Sequence, residues 1–263
     1  HFSISFFKTF AQEIKDASII ILFQKTQDKR VYKFLTSQGF RVQELEFNKR
    51  ISLSNDYKVT CIKDGFYDSA LLIESHGEKI LNLNDCEITT AKRADEVFKV
   101  TGEVDLLLTQ FSFAAWKGGK ENKRWRDQAA KEKINTMRLQ IEMFKPKFVI
   151  PFASFVYFSN NENFYLNDAI NKPSDLKQKL DKYKTKLIIM SPFDTFKNKL
   201  EVSKTIKAIS FWDKKYKDIK PINYYNSVDI NTLKENFINY CDRIKNNNNI
   251  PLIKLIRLLS PIN

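Results

Sequence analysis

Asp68-Ser69-Ala70-Leu71-Leu72-Ile73-Glu74, then Gly77-Glu78-Lys79-Ile80-Leu81-Asn82, then Leu83-Asn84-Asp85-Cys86, is the stretch whose reading decides the fold. Two apolar runs, Ser69–Glu74 and Lys79–Leu83, flank His76-Gly77, and that pattern predicts a β-hairpin. Asp85 follows the second run directly. A carboxylate just beyond the C-terminal end of a strand stands where α/β sheets place ligands; the ordinary alternative is a turn or helix cap. Ahead of the hairpin, Tyr57–Ile62 reads as a strand, and the acidic segment Asp64-Gly65-Phe66-Tyr67-Asp68 reads first as a β-turn.

Upstream, Ile4–Ile14 has helical spacing with Phe6, Phe7 and Phe10 on one side. Ser18–Phe23 reads as a buried strand, Lys29–Gln38 as a helix closing at Gly39, and Arg41–Phe47 as a strand. Together the last three predict a parallel β–α–β unit. Downstream, a short helix ends at Val97–Val100 and Val104–Leu108 is a strand. A charged loop then leads into a long helix with the stripe Ala130, Ile134, Met137, Ile141 and Phe144, stopped by Pro146. Phe148–Ile150 and Lys186–Met190 read as strands and Leu176–Tyr183 as a helix. Strands alternating with helices, plus one hairpin run, predict an α/β (α+β) chain with mixed sheets.

The 263 residues are 43% hydrophobic and 29% charged, the balance of a globular protein. No apolar run has the length of about 18–20 residues that a membrane span needs. Three widely spaced cysteines, Cys61, Cys86 and Cys241, suit neither a disulfide scaffold nor a CxxC zinc site, and point to the reducing cytoplasm. The net charge is +13, yet only nine of the 44 basic residues are arginine. Arginine is the side chain favoured for bidentate phosphate and base contacts, so nucleic acid is set aside and a small anionic substrate is preferred. His1 in place of a methionine, and an Ile- and Leu-rich C-terminus, read as the cut ends of a longer protein, so targeting cannot be judged. A polar break at Asn246–Asn249 divides a domain over 1–245 from the start of a following segment over 246–263.

Histidine, the usual general base and metal ligand, occurs only as His1 and His76. His76 reads as a turn residue. Lys117-Gly118-Gly119-Lys120 lacks the GxxxxGK[ST] spacing of a phosphate loop, and no GxSxG elbow occurs.

Taken in order, several of these pieces resemble the metallo-β-lactamase-fold family. They are the hairpin ending in Asp85-Cys86; Leu106-Leu107-Leu108-Thr109-Gln110-Phe111; the Gly118-Gly119-Lys120…Trp125 loop; and Lys145-Pro146-Lys147-Phe148-Val149-Ile150-Pro151-Phe152-Ala153. The branch they look most like is the lactamase-like portion of CMP-N-acetylneuraminate hydroxylase and its bacterial relatives, over roughly Ile51 to Leu180. The resemblance implies an αββα sandwich with mixed sheets, its first part missing here. It also implies a divalent metal, zinc or else iron or manganese, with His1 closing an HxHxDH loop and Asp85 bridging as metal ligands. In the family such an aspartate helps hold a metal-bound hydroxide. Asp64 and Asp68 would be secondary catalytic carboxylates, and Lys117, Lys120, Arg124 and Asn160 would face the anionic substrate.

The departures from the family pattern are specific. The turn Asp64–Asp68 carries no His, Asn160 stands where the relatives carry one, and Met190-Ser191-Pro192 supplies none. Gln110 replaces the Asp of a Ser-Asp-Phe strand end. The cysteines and histidines do not provide the pairs that a Rieske cluster requires, so none is expected in this segment. Two readings follow for an anionic small molecule such as a sugar nucleotide. One is a metal-dependent, hydrolase- or oxidoreductase-type domain acting through a metal-bound water or oxygen species. The other is a catalytically degenerate binding module on the same fold. Nucleic-acid processing is a distant third, no membrane role is expected, and the oligomeric state is not legible.

Overall fold

The computed structural model describes residues 2–197, 201–223 and 228–259. His1, Tyr224 and Tyr225 therefore lie outside the described residues. The chain divides into two compact units, His1–Lys220 and Pro221–Asn263.

The first unit opens with two short helices, α1 (Ile4–Thr9) and α2 (Ala11–Asp16), where the sequence predicts one. The break falls at Phe10, with φ −103° and ψ 22°. Phe7 packs on Phe40 while Phe6 packs on Phe10, and the bend lets both aromatic contacts form. The expected β–α–β unit follows. β1 (Ile20–Gln24) and β2 (Arg41–Leu45) pair in parallel, Ile20 opposite Arg41 and Gln24 opposite Leu45, joined by α3 (Arg30–Ser37).

The main sheet has seven strands in chain order. β3 (Arg50–Ser52), which the sequence does not announce, lies antiparallel on β4 (Tyr57–Asp64). β4 pairs antiparallel with β5 (Asp68–Ser75), and β5 with β6 (Glu78–Asn82). The hairpin turn is the predicted one. His76 (φ 50°) and Gly77 (φ 82°) both take positive φ, as a two-residue turn matched to strand twist requires. β7 (Leu106–Thr109), β8 (Phe148–Pro151) and β9 (Lys186–Leu187) then continue the sheet in parallel.

Side-chain alternation sorts the sheet into layers. Ile62, Leu72, Leu81 and Leu107 face one side, against α4 (Ala91–Thr101), α5 (Lys123–Phe144) and α6 (Pro173–Leu180). All five residues of the predicted α5 stripe are buried. Val59, Cys61, Leu71 and Ile73 face the other side and pack against Leu22 and Leu45 of the small β1–β2 sheet. The order helix, two-stranded sheet, seven-stranded sheet, helices makes a mixed α/β sandwich of αββα type. The predicted strand Lys186–Met190 is laddered only at its first two residues: Ile188 N still reaches the Val149 carbonyl at 2.9 Å, but the next rung would need an N–H from Pro151, which proline lacks. α6 starts at Pro173 rather than near Leu176, proline being suited to a first helical turn.

α7 (Val202–Asp218) closes the first unit. Trp212 stacks on Phe155 at 4.1 Å and donates to the Met190 carbonyl at 2.8 Å. The second unit holds α8 (Ile230–Asn247) and α9 (Ile250–Leu259). The polar break lies between them, where the Asn249 side chain accepts from Leu252 N and starts the new helix. Among the described residues no helix is long and apolar enough to cross a membrane.

Candidate functional site

The end of β4, the start of β5 and the ends of β6 and β7 meet at one edge of the main sheet. Asp64, Asp68, Asp85 and Gln110 all stand there because of where these strands stop. The turn that delivers Asp85 is built locally. Asn82 Oδ1 accepts from Asn84 N at 2.9 Å, Asn84 adopts φ 48°, and Cys86 N closes onto the Leu83 carbonyl at 2.9 Å. Asparagine tolerates that left-handed conformation, and its side chain mimics a backbone turn. Leu83, fully buried, anchors the turn in the core.

The Asp85 carboxylate is engaged. Gln110 Nε2 donates to its Oδ1 at 2.6 Å, and Lys133 Nζ donates to Gln110 Oε1 at 2.9 Å. Lys133 projects from α5 into this edge. Burial lowers its pKa, Glu87 and Asp85 oppose that shift, and Lys117 adds to it. Around Lys133 a second ammonium group, two carboxylates and one amide thus gather. Two turns further along α5, buried Gln140 accepts from Thr109 Oγ1 at 2.5 Å and donates to the Ile88 carbonyl at 3.2 Å. The same helix face therefore fixes both the β7 end and the segment after Asp85.

Asp64 is used differently. Its Oδ2 accepts from Glu87 N at 2.6 Å and its Oδ1 from Arg93 Nε at 3.1 Å, while Arg93 also donates to the Lys63 carbonyl. It pins the Asp85 loop and α4 to the sheet. Asp68, its cross-strand partner, is exposed. All three aspartates bear on Cys86. Burial first, then Asp64 and Asp68, with Asp85 adding to them, push its thiol up to about 12 against a smaller opposing pull from Arg93. Cys86 is therefore a thiol at neutral pH in the free chain.

The predicted substrate cations follow this edge in sequence. Lys117 is half-buried over the Trp125 ring at 5.9 Å; Lys120 and Arg124 are exposed. Asn160 accepts from Glu162 N at 3.0 Å in its own turn. No described contact joins Asn160 to Asp85. The loop carrying Lys117 and Lys120 is held by Arg126, which is 1% exposed. Its guanidinium forks onto Asp168 at 2.8 and 2.7 Å and donates to the carbonyls of Gly119 (2.6 Å) and Lys120 (3.1 Å). Gly118 (φ 81°) must be glycine there, since a Cβ would meet the Asn122 side chain at 2.4 Å.

A metal at this edge would need free carboxylate, thiolate or imidazole donors. Asp85 is paired with an amide, Asp64 with a guanidinium and a backbone N–H, and Cys86 is buried. Among the described residues no group of three or more His, Cys, Asp or Glu is arranged to hold an ion. The described donor set does not fit a metal centre. Lys133 and Arg126 were not singled out from sequence. A helix rich in basic residues gives no sign of which one folds inward, and each reaches a partner far away in the chain.

No protein-family model matches the sequence, and no curated protein matches it significantly. Among solved structures the chain is similar to a mutant of the CmlA β-hydroxylase, with TM-score 0.49 and 16% identity over 70% of this chain. It spans 40% of that protein's length. CmlA is described as a diiron β-hydroxylase from Streptomyces venezuelae. The chain is also similar to Igni18, a metallo hydrolase from the archaeon Ignicoccus hospitalis KIN4/I, with TM-score 0.45 and 14% identity over 72% of this chain and 74% of that one. A third is the metallo-β-lactamase fold protein YhfI from Bacillus subtilis, with TM-score 0.39 and 13% identity over 73% and 72% of the two chains. The strand order and layers of the chain itself define the sandwich.

Proposed function

We propose that this chain is a metallo-β-lactamase-type domain that binds an anionic small molecule at the Asp85 edge through its own side-chain cations. The carrying observation is the Asp85–Gln110–Lys133 chain of hydrogen bonds. Lys133 supplies positive charge beside the bridging-type aspartate without occupying its oxygens directly. Lys117 adds a second cation within electrostatic reach. In a partly desolvated edge, fixed ammonium groups attract and orient an anion more strongly than they would in water. A sugar nucleotide is the member of this ligand class that the family resemblance suggests. This is the degenerate, binding-module reading.

Binding of pyrophosphate in the presence of EDTA tests it. Calorimetry of the whole chain is expected to show binding that falls about ten- to a hundredfold in Lys133→Met, one charge-assisted contact being worth roughly 1.5–3 kcal/mol. Unchanged binding in that variant would overturn the reading.

A second reading, a metal-dependent hydrolase or oxidoreductase, is favoured by one observation: Asp64, Asp68 and Asp85 all act on Cys86 and so share one neighbourhood. The names of the similar structures agree with it. In that reading His1 and Asp85 would be ligands, and Gln110 would have to release Asp85.

A further inference from the structure

A cleft of about 620 Å³ opens between the Asp64–Asp68 turn and the segment after β1. Lys25, Thr26 and Lys29, between β1 and α3, form one wall; Lys63, Phe66 and Tyr67, at the β4–β5 turn, form the other. The volume lies in the range of about 300–1,000 Å³ usual for small-molecule sites.

Four features give the cleft a chemistry. Lys63 has no carboxylate partner among the described residues, and its ammonium lies 5.9 Å from the Phe47 ring centroid, which also lines the cleft. Among the described residues Lys25 is paired only with Glu46, at 3.2 Å, with both side chains about half exposed (50% and 51%). Such a pair is weak and easily redirected. Asp28, the single carboxylate lining the cleft, is already committed: it accepts from Arg30 Nε at 2.7 Å, Arg30 N at 3.1 Å and the Tyr67 hydroxyl at 3.2 Å. Thr26 Oγ1 is buried with no hydrogen-bond partner among the described residues. A buried hydroxyl left without a partner is costly, so a partner is expected.

The aromatic wall is rigid on one side and open on the other. Tyr67 is held by the Gln24 side chain on its carbonyl (2.5 Å) and by Arg30 on its hydroxyl (2.9 Å). Phe66 stands at 90° to Tyr67, with centroids 4.6 Å apart, and is 73% exposed. An exposed ring fixed against a held one offers a stacking platform.

We propose that this cleft binds a flat aromatic ring bearing a phosphate. The ring stacks on Phe66, the phosphate lies between Lys63 and Lys25, and the Thr26 hydroxyl donates to it or to the ring's polar edge. Two compact ammonium groups favour a dianion over a carboxylate. This site does not rest on the reading of the Asp85 edge and uses none of its residues.

The test is calorimetric titration of the whole chain at low salt with AMP, adenosine and inorganic phosphate. AMP is expected to bind at least about tenfold more tightly than either half alone, since stacking and charge both contribute. Phe66→Ala and Lys63→Met, both at exposed positions, should each weaken AMP about tenfold while leaving the melting temperature of the free chain unchanged. Absence of AMP binding, binding of phosphate as tight as AMP, or wild-type affinity in both cleft variants would each overturn the proposal.

Discussion

Gln110 donates to the Asp85 carboxylate at 2.6 Å, and this contact sets the chemistry of the sheet edge. The amide turns an acid that could ligate a cation into the end of a neutral bridge to Lys133. Gln110→Ala should therefore release Asp85 and leave Lys133 without its hydrogen-bonded partner. Buried polar groups deprived of partners cost about 1–3 kcal/mol each. The variant is expected to unfold at lower temperature in calorimetry while retaining the wild-type circular dichroism spectrum.

Arg126 and Asp168 form the best-buried charged contact among the described residues, and the loop carrying Lys117 and Lys120 hangs from it. Arg126→Met removes the fork and takes the donor from the Lys120 carbonyl, while the Gly119 carbonyl keeps Asn122 N at 3.0 Å. A loss of about 3 kcal/mol is expected, toward the low end for broken buried pairs because Asp168 is 31% exposed. Denaturant unfolding checks it.

The same pair gives a pH signature. The hydrogen bond from Arg126 holds the Asp168 pKa below its ordinary value of 3.8. The unfolded chain then binds the proton first. The pair's contribution is complete above about pH 4 and is lost as pH falls through the lower folded value. Wild-type stability should fall in that acid window, and Arg126→Met should show a shallower fall.

Two glycines with nearly equal φ separate conformational from steric cost. Gly77 (φ 82°) has nothing within 4 Å of an added Cβ, whereas Gly118 (φ 81°) has the Asn122 side chain at 2.4 Å. Gly77→Ala should cost about 1 kcal/mol from positive φ alone. Gly118→Ala should cost about 1–2 kcal/mol more, because the neighbouring side chain must move. Equal melting temperatures in the two variants would contradict the packing of the loop.

Thiol labelling reads the acidic edge directly. Cys86 is pushed up to about 12 by burial and the three aspartates, and burial also raises Cys61. Native protein at pH 8 is expected to react with iodoacetamide at Cys241, the partly exposed cysteine, well before either buried one. Mass spectrometry of the labelled peptides distinguishes them.

Much of the fold was legible because it is periodic. The hairpin was announced by two apolar runs around His76-Gly77, the β–α–β unit by short strands flanking a helix that ends at Gly39, and α5 by its 4-3-4-3 stripe. Asp85 was legible as a residue just past a strand end. β3 was not, since three residues carry no alternation to read. The bend at Phe10 was not, since it answers contacts with Phe40 that only the folded chain provides. Lys133 and Arg126 were invisible for a similar reason. Sequence rules place both residue types on the surface, and their burial depends on Gln110 and Asp168, 23 and 42 residues away.

Metal content separates the binding-module and metal-dependent readings directly. The protein, purified without a metal-chelating tag, is incubated with zinc, manganese or ferrous iron, desalted and analysed by inductively coupled plasma mass spectrometry alongside Asp85→Ala. With Asp85 held by Gln110 and Asp64 by Arg93, less than about a tenth of an equivalent should be retained in either protein, since a stable site needs about three or four free donors. Retention of about one or two equivalents in the wild type, lost in Asp85→Ala, would contradict the account and establish the metal-dependent reading in its place.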